Sequence, residues 1–307
     1  MAKILVTGGA GFIGSHLVKR LLREGHDICV IDNLTTGDKH LLPPSVLFYE
    51  ADITSPHINE PFKAFGPEVL IHLAAQTQVS VSQENPKADA TVNIIGTLNL
   101  LNACVKGNVR HVIFASSAAV YGDVQTLPVT EETPASPLSA YGLSKLTAER
   151  YIELYAQLYG FVYTTLRFAN VYGPKQSAST EAGVVTIFLH QLLNGQSPVI
   201  YGDGEQTRDF VYVEDVVQAI IDVLNTPQSG LFHVSSGEEV SVNALLRELC
   251  GILELPFNPI YQPERPGDIA RSCLSNHKIK QAFHWTPRYS LKEGLQEMIM
   301  IEYNQKR

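Results

Sequence analysis

Tyr141 and Lys145 stand four residues apart at the start of a helical pattern that runs to about Tyr159, so the phenol and the ammonium project from one helix face. A free tyrosine titrates near about 10 and is a poor base at neutral pH. An adjacent cation favours the phenolate and brings the group into the working range of a general base. Ser117, at the end of the apolar run His111–Ser116, supplies a third member that can bond a substrate hydroxyl and pass its proton to Tyr141. Tyr-x-x-x-Lys by itself is a common exposed helix face. It gains chemical meaning here because the chain opens with a nucleotide turn, Thr7-Gly8-Gly9-Ala10-Gly11-Phe12-Ile13-Gly14. The spacing of Gly8, Gly11 and Gly14 lets the backbone turn tightly, approach a pyrophosphate and enter a helix packed close to the preceding strand. Asp32 ends the next apolar run roughly 20 residues on, where it takes the ribose hydroxyls of NAD.

The elements that must position these residues follow from the pattern. Strand-like runs at Ile4–Val6, Ile28–Asp32, Val46–Tyr49, Val69–Leu73, His111–Ser116 and Thr164–Phe168 alternate with helical patterns. That alternation predicts an α/β, Rossmann-type, doubly wound parallel sheet, with ligands at the C-terminal strand ends. Those ends carry residues suited to a cofactor: Asp32 and Asn33, Asp52 and Ile53, Leu73, Ala74 and Ala75, then Ser116 and Ser117. A helix over Val92–Lys106 places Asn93 in its first turn, within reach of the cofactor phosphates or the turn beneath them. His72 reads as a buried strand residue, since the chemistry already has its base. The pattern changes after Ala169. Residues 1–169 and 210–236 are assigned to the NAD-binding domain, and 170–209 with 237–307 to a smaller α/β domain for the substrate.

Composition bounds the function. The 307 residues are 45% hydrophobic and 18% charged, an ordinary globular balance with room for a large core. The net charge of −8 argues against a nucleic-acid surface, so an anionic substrate must be held by local arginines. No apolar run is long enough to span a bilayer and no secretory leader is evident, so a cytoplasmic protein without a membrane partner is expected. Cys29, Cys104, Cys250 and Cys273 are scattered and form no Cys-x-x-Cys pair, which indicates neither a metal site nor a disulfide framework.

Over essentially its whole length the chain resembles the extended short-chain dehydrogenase/reductase family. The resemblance rests on the glycine turn, His72-Leu73-Ala74-Ala75, Ser116-Ser117-Ala118-Ala119-Val120-Tyr121-Gly122, Tyr141-x-x-x-Lys145, Arg167-Phe168-Ala169-Asn170-Val171-Tyr172-Gly173-Pro174, Arg208-Asp209-Phe210-Val211 and Arg265-Pro266-Gly267-Asp268. Within that family the motifs are most similar to the nucleotide-sugar 4-epimerases. The resemblance implies a tightly held NAD, with Asp52 and Ile53 at the adenine, Leu73 and Ala74 beside the cofactor and Lys145 on the nicotinamide ribose. It implies Arg208 and Arg265 as a clamp on the diphosphate of a nucleotide-diphosphate sugar, with Asn170 and Asp268 bonding that region or holding the arginines. It further implies inversion of C4 of a UDP-hexose, and a homodimer built by pairing two helices across a two-fold into a four-helix bundle. Ser272, four residues after Asp268, matches a position bordering the sugar's C2 substituent, and its small size implies that N-acetylhexosamines enter too. Some epimerases place a phosphate-touching lysine where this chain has Thr77, so that contact is absent from the expectation.

Two alternatives use the same scaffold. Sugar 4,6-dehydratases place Asp-Glu, and uronate decarboxylases tend to place an acid, where this chain has Ala118 and Ala119. A non-catalytic NAD sensor would usually lack the Tyr-x-x-x-Lys that is present here.

Overall fold

The computed structural model describes residues 1–176, 183–265 and 268–305, with main chain alone from 303. It divides into two compact units. The first comprises 1–122, 134–167 and 217–232, and the second 123–133, 168–216 and 233–307. The main break thus falls at Arg167–Phe168, close to the change in sequence pattern. Residues 123–133 belong to the second unit, and the returning segment in the first is limited to 217–232.

The strands in chain order are β1 (Lys3–Thr7), β2 (Asp27–Asp32), β3 (Leu47–Glu50), β4 (Val69–His72), β5 (His111–Ser117), β6 (Val162–Phe168), β7 (Asn170–Tyr172), β8 (Val199–Tyr201), β9 (Thr207–Arg208), β10 (Phe210–Tyr212), β11 (Gly230–Val234), β12 (Val240–Ser241) and β13 (Ile260–Gln262). One seven-stranded sheet has the order β11-β6-β5-β4-β1-β2-β3. Its central pairs, β1 with β2 and β4, β2 with β3 and β4 with β5, are parallel. The order reverses at β1 and β4, and a ligand crevice opens where such a reversal occurs. The parallel strands read as nearly unbroken apolar runs because helices cover both faces. Ile4, Leu5 and Val6 of β1 and Cys29, Val30 and Ile31 of β2 are fully buried.

Helices α1 (Phe12–Arg23), α2 (Asn59–Phe65), α3 (Val79–Glu84), α4 (Pro86–Ala90), α5 (Thr97–Lys106) and α6 (Ala140–Tyr159) belong to the first unit. Each side chain on the buried stripe of α1 (Leu17, Val18, Leu21) is closed off from solvent. The sequence pattern predicts one helix over Val92–Lys106. The chain instead forms a π-helical turn over Thr91–Gly96 before α5 begins. Such turns leave the main chain wider than an α-helix and often lie at functional sites. At Gly96 a Cβ would stand 2.6 Å from Ile53, so the turn packs against that residue.

In the second unit β7 pairs with β10, β8 with β13 and β9 with β12. Helices α7 (Val184–Leu193), α8 (Val213–Asn225), α9 (Val242–Leu253), α10 (His277–Phe283) and α11 (Leu291–Gln305) complete the chain, α8 running from the second unit into the first. All four cysteines are free and buried. Among the described residues no helix is long and apolar enough to cross a membrane, and no His, Cys, Asp and Glu side chains are grouped to hold a metal ion.

Candidate active site

The glycine turn leaves β1 at Thr7. Gly8 adopts φ +71°, a left-handed conformation that glycine enters without strain, and its N–H bonds the Ile31 carbonyl at 2.9 Å. A Cβ there would stand 2.7 Å from the Ala74 nitrogen, and one on Gly14 would collide with the Gly8 carbonyl oxygen. The cradle exists because these positions carry no side chain. Helix α1 starts immediately behind it with Gly11 as N-cap and no side-chain cap, so its first N–H groups and its positive end face the turn. Phe12 and Ile13 are half-buried in that first turn. These features fit the pyrophosphate of NAD.

Asp32 is almost fully buried at the end of β2. One carboxylate oxygen accepts from the Ala10 N–H at 3.0 Å and the other from the Leu34 N–H at 2.9 Å. The carboxylate is thereby fixed beside the cradle, with a lone pair on each oxygen left for ribose hydroxyls. Asp52 accepts from the Thr54 N–H (2.8 Å), the Thr54 hydroxyl (2.7 Å) and the Asn33 side-chain amide (2.8 Å). Burial pushes the Asp52 carboxyl up, but the bonds from Thr54 and Asn33 outweigh it and hold the group below the usual range. Ile53 is packed into the core, and its carbonyl accepts from the Asn99 side-chain amide at 3.1 Å. Leu73, Ala74 and Ala75 are half-buried in the loop after β4, and Thr77 is exposed.

Asn93 serves the turn beneath and not the phosphates. Its oxygen accepts from the Gln76 N–H at 2.9 Å, and its nitrogen contacts the Gln76 carbonyl, Asp89 and the Ser144 hydroxyl at 3.0 to 3.1 Å. The buried amide is fully committed within the chain. His72 is buried between the Thr7 and Thr97 hydroxyls at 2.8 and 3.0 Å. Burial, then the nearby Lys145 charge, pushes it down to about 3, so the ring is neutral and structural.

Ser117, Tyr141 and Lys145 come together at the end of β5 and the start of α6. Ser139 caps α6, and the Tyr141 N–H in its first turn donates to the Ser82 hydroxyl at 3.0 Å. Ser117 accepts from the Ala119 N–H at 3.2 Å, and its hydroxyl acts on the Tyr141 phenol in the sense that favours ionisation. Lys145 corrects the expectation drawn from spacing. Its ammonium donates to the Ala115 carbonyl at 2.8 Å and lies 4.8 Å from the centre of the Phe114 ring. The Tyr141 phenol is raised above its usual range: burial dominates, Ser117 opposes it, and the Asp89 charge adds to it. Lys145 is lowered to about 8 by burial, against the raising effects of Glu149 and Asp89. The lysine thus gives up its proton more readily than usual but remains an ammonium at neutral pH, aimed at the main chain of β5.

One turn further along α6, sequence reasoning missed a buried ion pair. Glu149 receives the Arg167 Nε and Nη2 at 2.9 and 2.6 Å, together with the Ser116 hydroxyl. The Arg167 guanidinium lies 4.6 Å over the Tyr121 ring. The helical spacing Lys145 to Glu149 was the available signal, but nothing local names a partner on β6.

The second unit contains a cavity of about 210 Å³ bordered by Asn170, Tyr201, Gln206, Arg208, Arg265 and Asp268. Arg208 donates to the Thr207 and Ile269 carbonyls at 2.8 and 2.6 Å and pairs with Asp268 at 2.6 Å. Asp268 therefore holds an arginine in place. Arg265 lies 3.8 Å over the Tyr201 ring, a cation–π contact that orients the guanidinium. Pro266 and Gly267 of the same motif lie outside the described residues. Two arginines against one carboxylate leave the cavity cationic, as an anionic diphosphate requires. The adjacent Asp209 is a structural carboxylate, receiving the N–H groups of Ser236, Gly237 and Leu274 and the Ser236 hydroxyl. Ser272 is half-buried and does not appear in the lining of this cavity.

Residues 4–235 match the model of the NAD dependent epimerase/dehydratase family. A putative UDP-glucose 4-epimerase of Methanocaldococcus jannaschii is 44% identical over 297 residues, covering 96% of this chain and 97% of that protein. The crystal structure of UDP-glucose 4-epimerase from Thermotoga maritima with UDP-glucose superposes with a TM-score of 0.97 at 41% identity, covering 99% of this chain and 100% of that one. The Thermus thermophilus UDP-glucose 4-epimerase in complex with NAD gives a TM-score of 0.92 at 39% identity, covering 97% and 98%. Matched over three quarters of its length by that model and over nearly all of it by these relatives, the chain belongs to the NAD dependent epimerase/dehydratase family.

Proposed function

We propose that this protein inverts C4 of a UDP-hexose, interconverting UDP-glucose and UDP-galactose through a transient 4-keto sugar. The observation that carries the proposal is the pair of hydroxyls Ser117 and Tyr141, close enough for Ser117 to favour ionisation of the phenol, with alanines at 118 and 119 beside them. A serine and a tyrosine can take one proton from the 4-hydroxyl and return it. Alanines cannot supply the second acid and base that elimination of water across C5 and C6 requires, which separates this reading from a dehydratase. NAD, when bound, supplies reversible hydride transfer at C4. Gly8, Gly11, Gly14, Phe12 and Ile13 would hold its pyrophosphate, Asp32 its ribose, Asn33 and Asp52 the adenine side, and Leu73, Ala74 and Ala75 the wall beside it. Ser117 orients the sugar hydroxyl and relays its proton to Tyr141, while Lys145 holds a positive charge beneath the pair. Arg208 and Arg265 grip the diphosphate, Asn170 lines the same cavity and Asp268 steadies Arg208. Gripping only the diphosphate leaves the keto sugar free to turn and present its other face.

Purified protein incubated with UDP-glucose should yield the galacto epimer by NMR without added reductant. Failure with every UDP-sugar tried would sink the proposal, and a 4-keto-6-deoxy product would reinstate the dehydratase. Tyr141→Phe should abolish turnover while nucleotide binding persists, whereas a sensor would be indifferent. We further infer a homodimer through α5 and α6, because Leu143, Leu154, Leu158 and Tyr159 of α6 and Ile95 just before α5 are exposed apolar residues. A monomer mass by light scattering at micromolar concentration would refute it.

A further inference from the structure

We propose that Asn243 is a positioning residue for the Arg265 arm of the arginine cavity, pinning the turn that ties Tyr201 to Gln206. The inference rests on the reading of that cavity as the diphosphate site, and every residue it uses belongs to the second unit.

The turn over 202–206 joins β8 to β9. At its centre Gly204 adopts φ +80°, a left-handed angle that glycine enters without strain but, lacking a side chain, does little to hold. Asp203 and Glu205 on either side are exposed. Such a turn needs anchorage from outside, and Asn243 provides it from the first turn of α9, just after Ser241 caps that helix. Its main-chain N–H, which has no partner within the helix, donates to the Gly204 carbonyl at 2.9 Å. Its side-chain nitrogen donates to the Asp203 carbonyl at 2.9 Å and to the Glu205 carboxylate at 2.7 Å, which uses both of its hydrogens. Its side-chain oxygen accepts from the Tyr261 hydroxyl at 3.0 Å, so the orientation of the amide is fixed. A Cβ on Gly204 would stand 2.5 to 2.6 Å from the atoms of that amide, a distance that only glycine allows. One residue, 7% exposed, thus holds three consecutive residues of the turn.

The pinned segment continues directly into the cavity wall. Gln206 follows it, with its carbonyl on the Val242 N–H at 3.1 Å and its side-chain amide donating to the Tyr201 carbonyl at 2.8 Å. Tyr201 in turn carries the Arg265 guanidinium 3.8 Å over its ring. Tyr261, which orients the Asn243 amide, lies on β13 and pairs with Ile200, the neighbour of Tyr201 on β8. Displacing the turn therefore moves the aromatic platform and the cation on it. Arg208 is secured separately, by the Thr207 and Ile269 carbonyls and by Asp268, while β9 pairs with β12. The effect of Asn243 accordingly falls on the Arg265 arm.

Asn243→Asp keeps the shape of the side chain and the acceptor for Tyr261, but replaces the donating nitrogen by an oxygen facing the Asp203 carbonyl and the Glu205 carboxylate. Binding of UDP to the NAD-containing protein is measured by calorimetry for wild type, Asn243→Asp, Arg265→Ala and the double variant. Asn243→Asp should weaken UDP binding roughly tenfold, the factor that about 1.4 kcal/mol represents. KM for UDP-glucose should rise in step, with kcat and bound NAD unchanged. In the Arg265→Ala background the same substitution should cost less than roughly twofold, because the arm through which it acts is gone. Equal losses in the two backgrounds, wild-type affinity in Asn243→Asp, or a joint fall of kcat, NAD content and affinity would each overturn the proposal. Tyr261→Phe, at a half-exposed position, removes only the hydroxyl and should weaken UDP roughly threefold in the wild-type background alone. Should Asn243→Asp fail to fold, unchanged affinity in Tyr261→Phe overturns the proposal. A wild-type protein that binds no UDP rejects the reading of the cavity and the proposal with it, whereas wild-type binding with additive losses rejects the role of Asn243 alone.

Discussion

Replacing Glu149 by glutamine should destabilise the first unit by about 3 kcal/mol, although the side chain keeps its size. Arg167 directs Nε and Nη2 to the two Glu149 oxygens at 2.9 and 2.6 Å, and both side chains are almost wholly buried. Hydrogen bonds to charged groups contribute about 1.5–3 kcal/mol each, and removing one partner of a buried pair costs about 3–5 kcal/mol, because the other charge is stranded. Glutamine retains one acceptor oxygen for Nε or for Ser116, but turns an amino group toward Nη2. That loses one charged bond outright and leaves the guanidinium against the Tyr121 ring without its counter-ion. The measurement is urea unfolding of wild type and variant followed by circular dichroism. The double variant Glu149→Leu with Arg167→Met removes both charges, and should recover most of the loss. A deficit below about 1 kcal/mol for Glu149→Gln, or a double variant no more stable than the single, would show that the pair is not the buried, unscreened contact described.

Lys145→Met should abolish turnover yet stabilise the cofactor-free protein at pH 7. In the folded chain the ammonium titrates at about 8 against 10.5 unperturbed. The unfolded chain then binds more protons between those values, so this contribution is fully unfavourable below pH 8 and is relieved as pH rises toward 10.5. About 3 kcal/mol of charge burial, less about 1–2 kcal/mol for the lost bond to Ala115, leaves a net gain of about 1–2 kcal/mol in urea unfolding, and a loss of stability would contradict it. Arg208→Lys should lower kcat/KM for UDP-glucose by roughly tenfold or more, about 1.4 kcal/mol, since an ammonium cannot span the Thr207 and Ile269 carbonyls and Asp268 at once. Wild-type kinetics from the lysine variant would remove Arg208 from the clamp. Ser272→Tyr should reduce epimerisation of UDP-N-acetylglucosamine at least roughly tenfold while sparing UDP-glucose. Equal effects on both substrates, or on neither, would show that Ser272 is not the gate.

The sequence alone determined the doubly wound sheet and singled out the candidate proton-handling groups, because both are local. Apolar runs of strand length alternate with amphipathic helices, and Gly8 and Gly14 are glycines for steric reasons that the turn itself imposes. Spacing likewise put Tyr141 and Lys145 on one helix face. Tertiary structure decided how those groups are charged. Desolvation and long-range partners set a pKa, and these depend on residues far away in the chain: the Ala115 carbonyl that takes the Lys145 ammonium, and the Asp89 charge that adds to the effect of burial on Tyr141. The same holds for Asn93, whose side chain could have met a phosphate and instead found Gln76 and Ser144, and for Glu149, whose partner Arg167 lies on β6. Helical periodicity says which face a side chain occupies. Which partner waits on that face is settled only when the sheet and helices pack, since burial forces each polar group to find a hydrogen bond wherever the fold brings one.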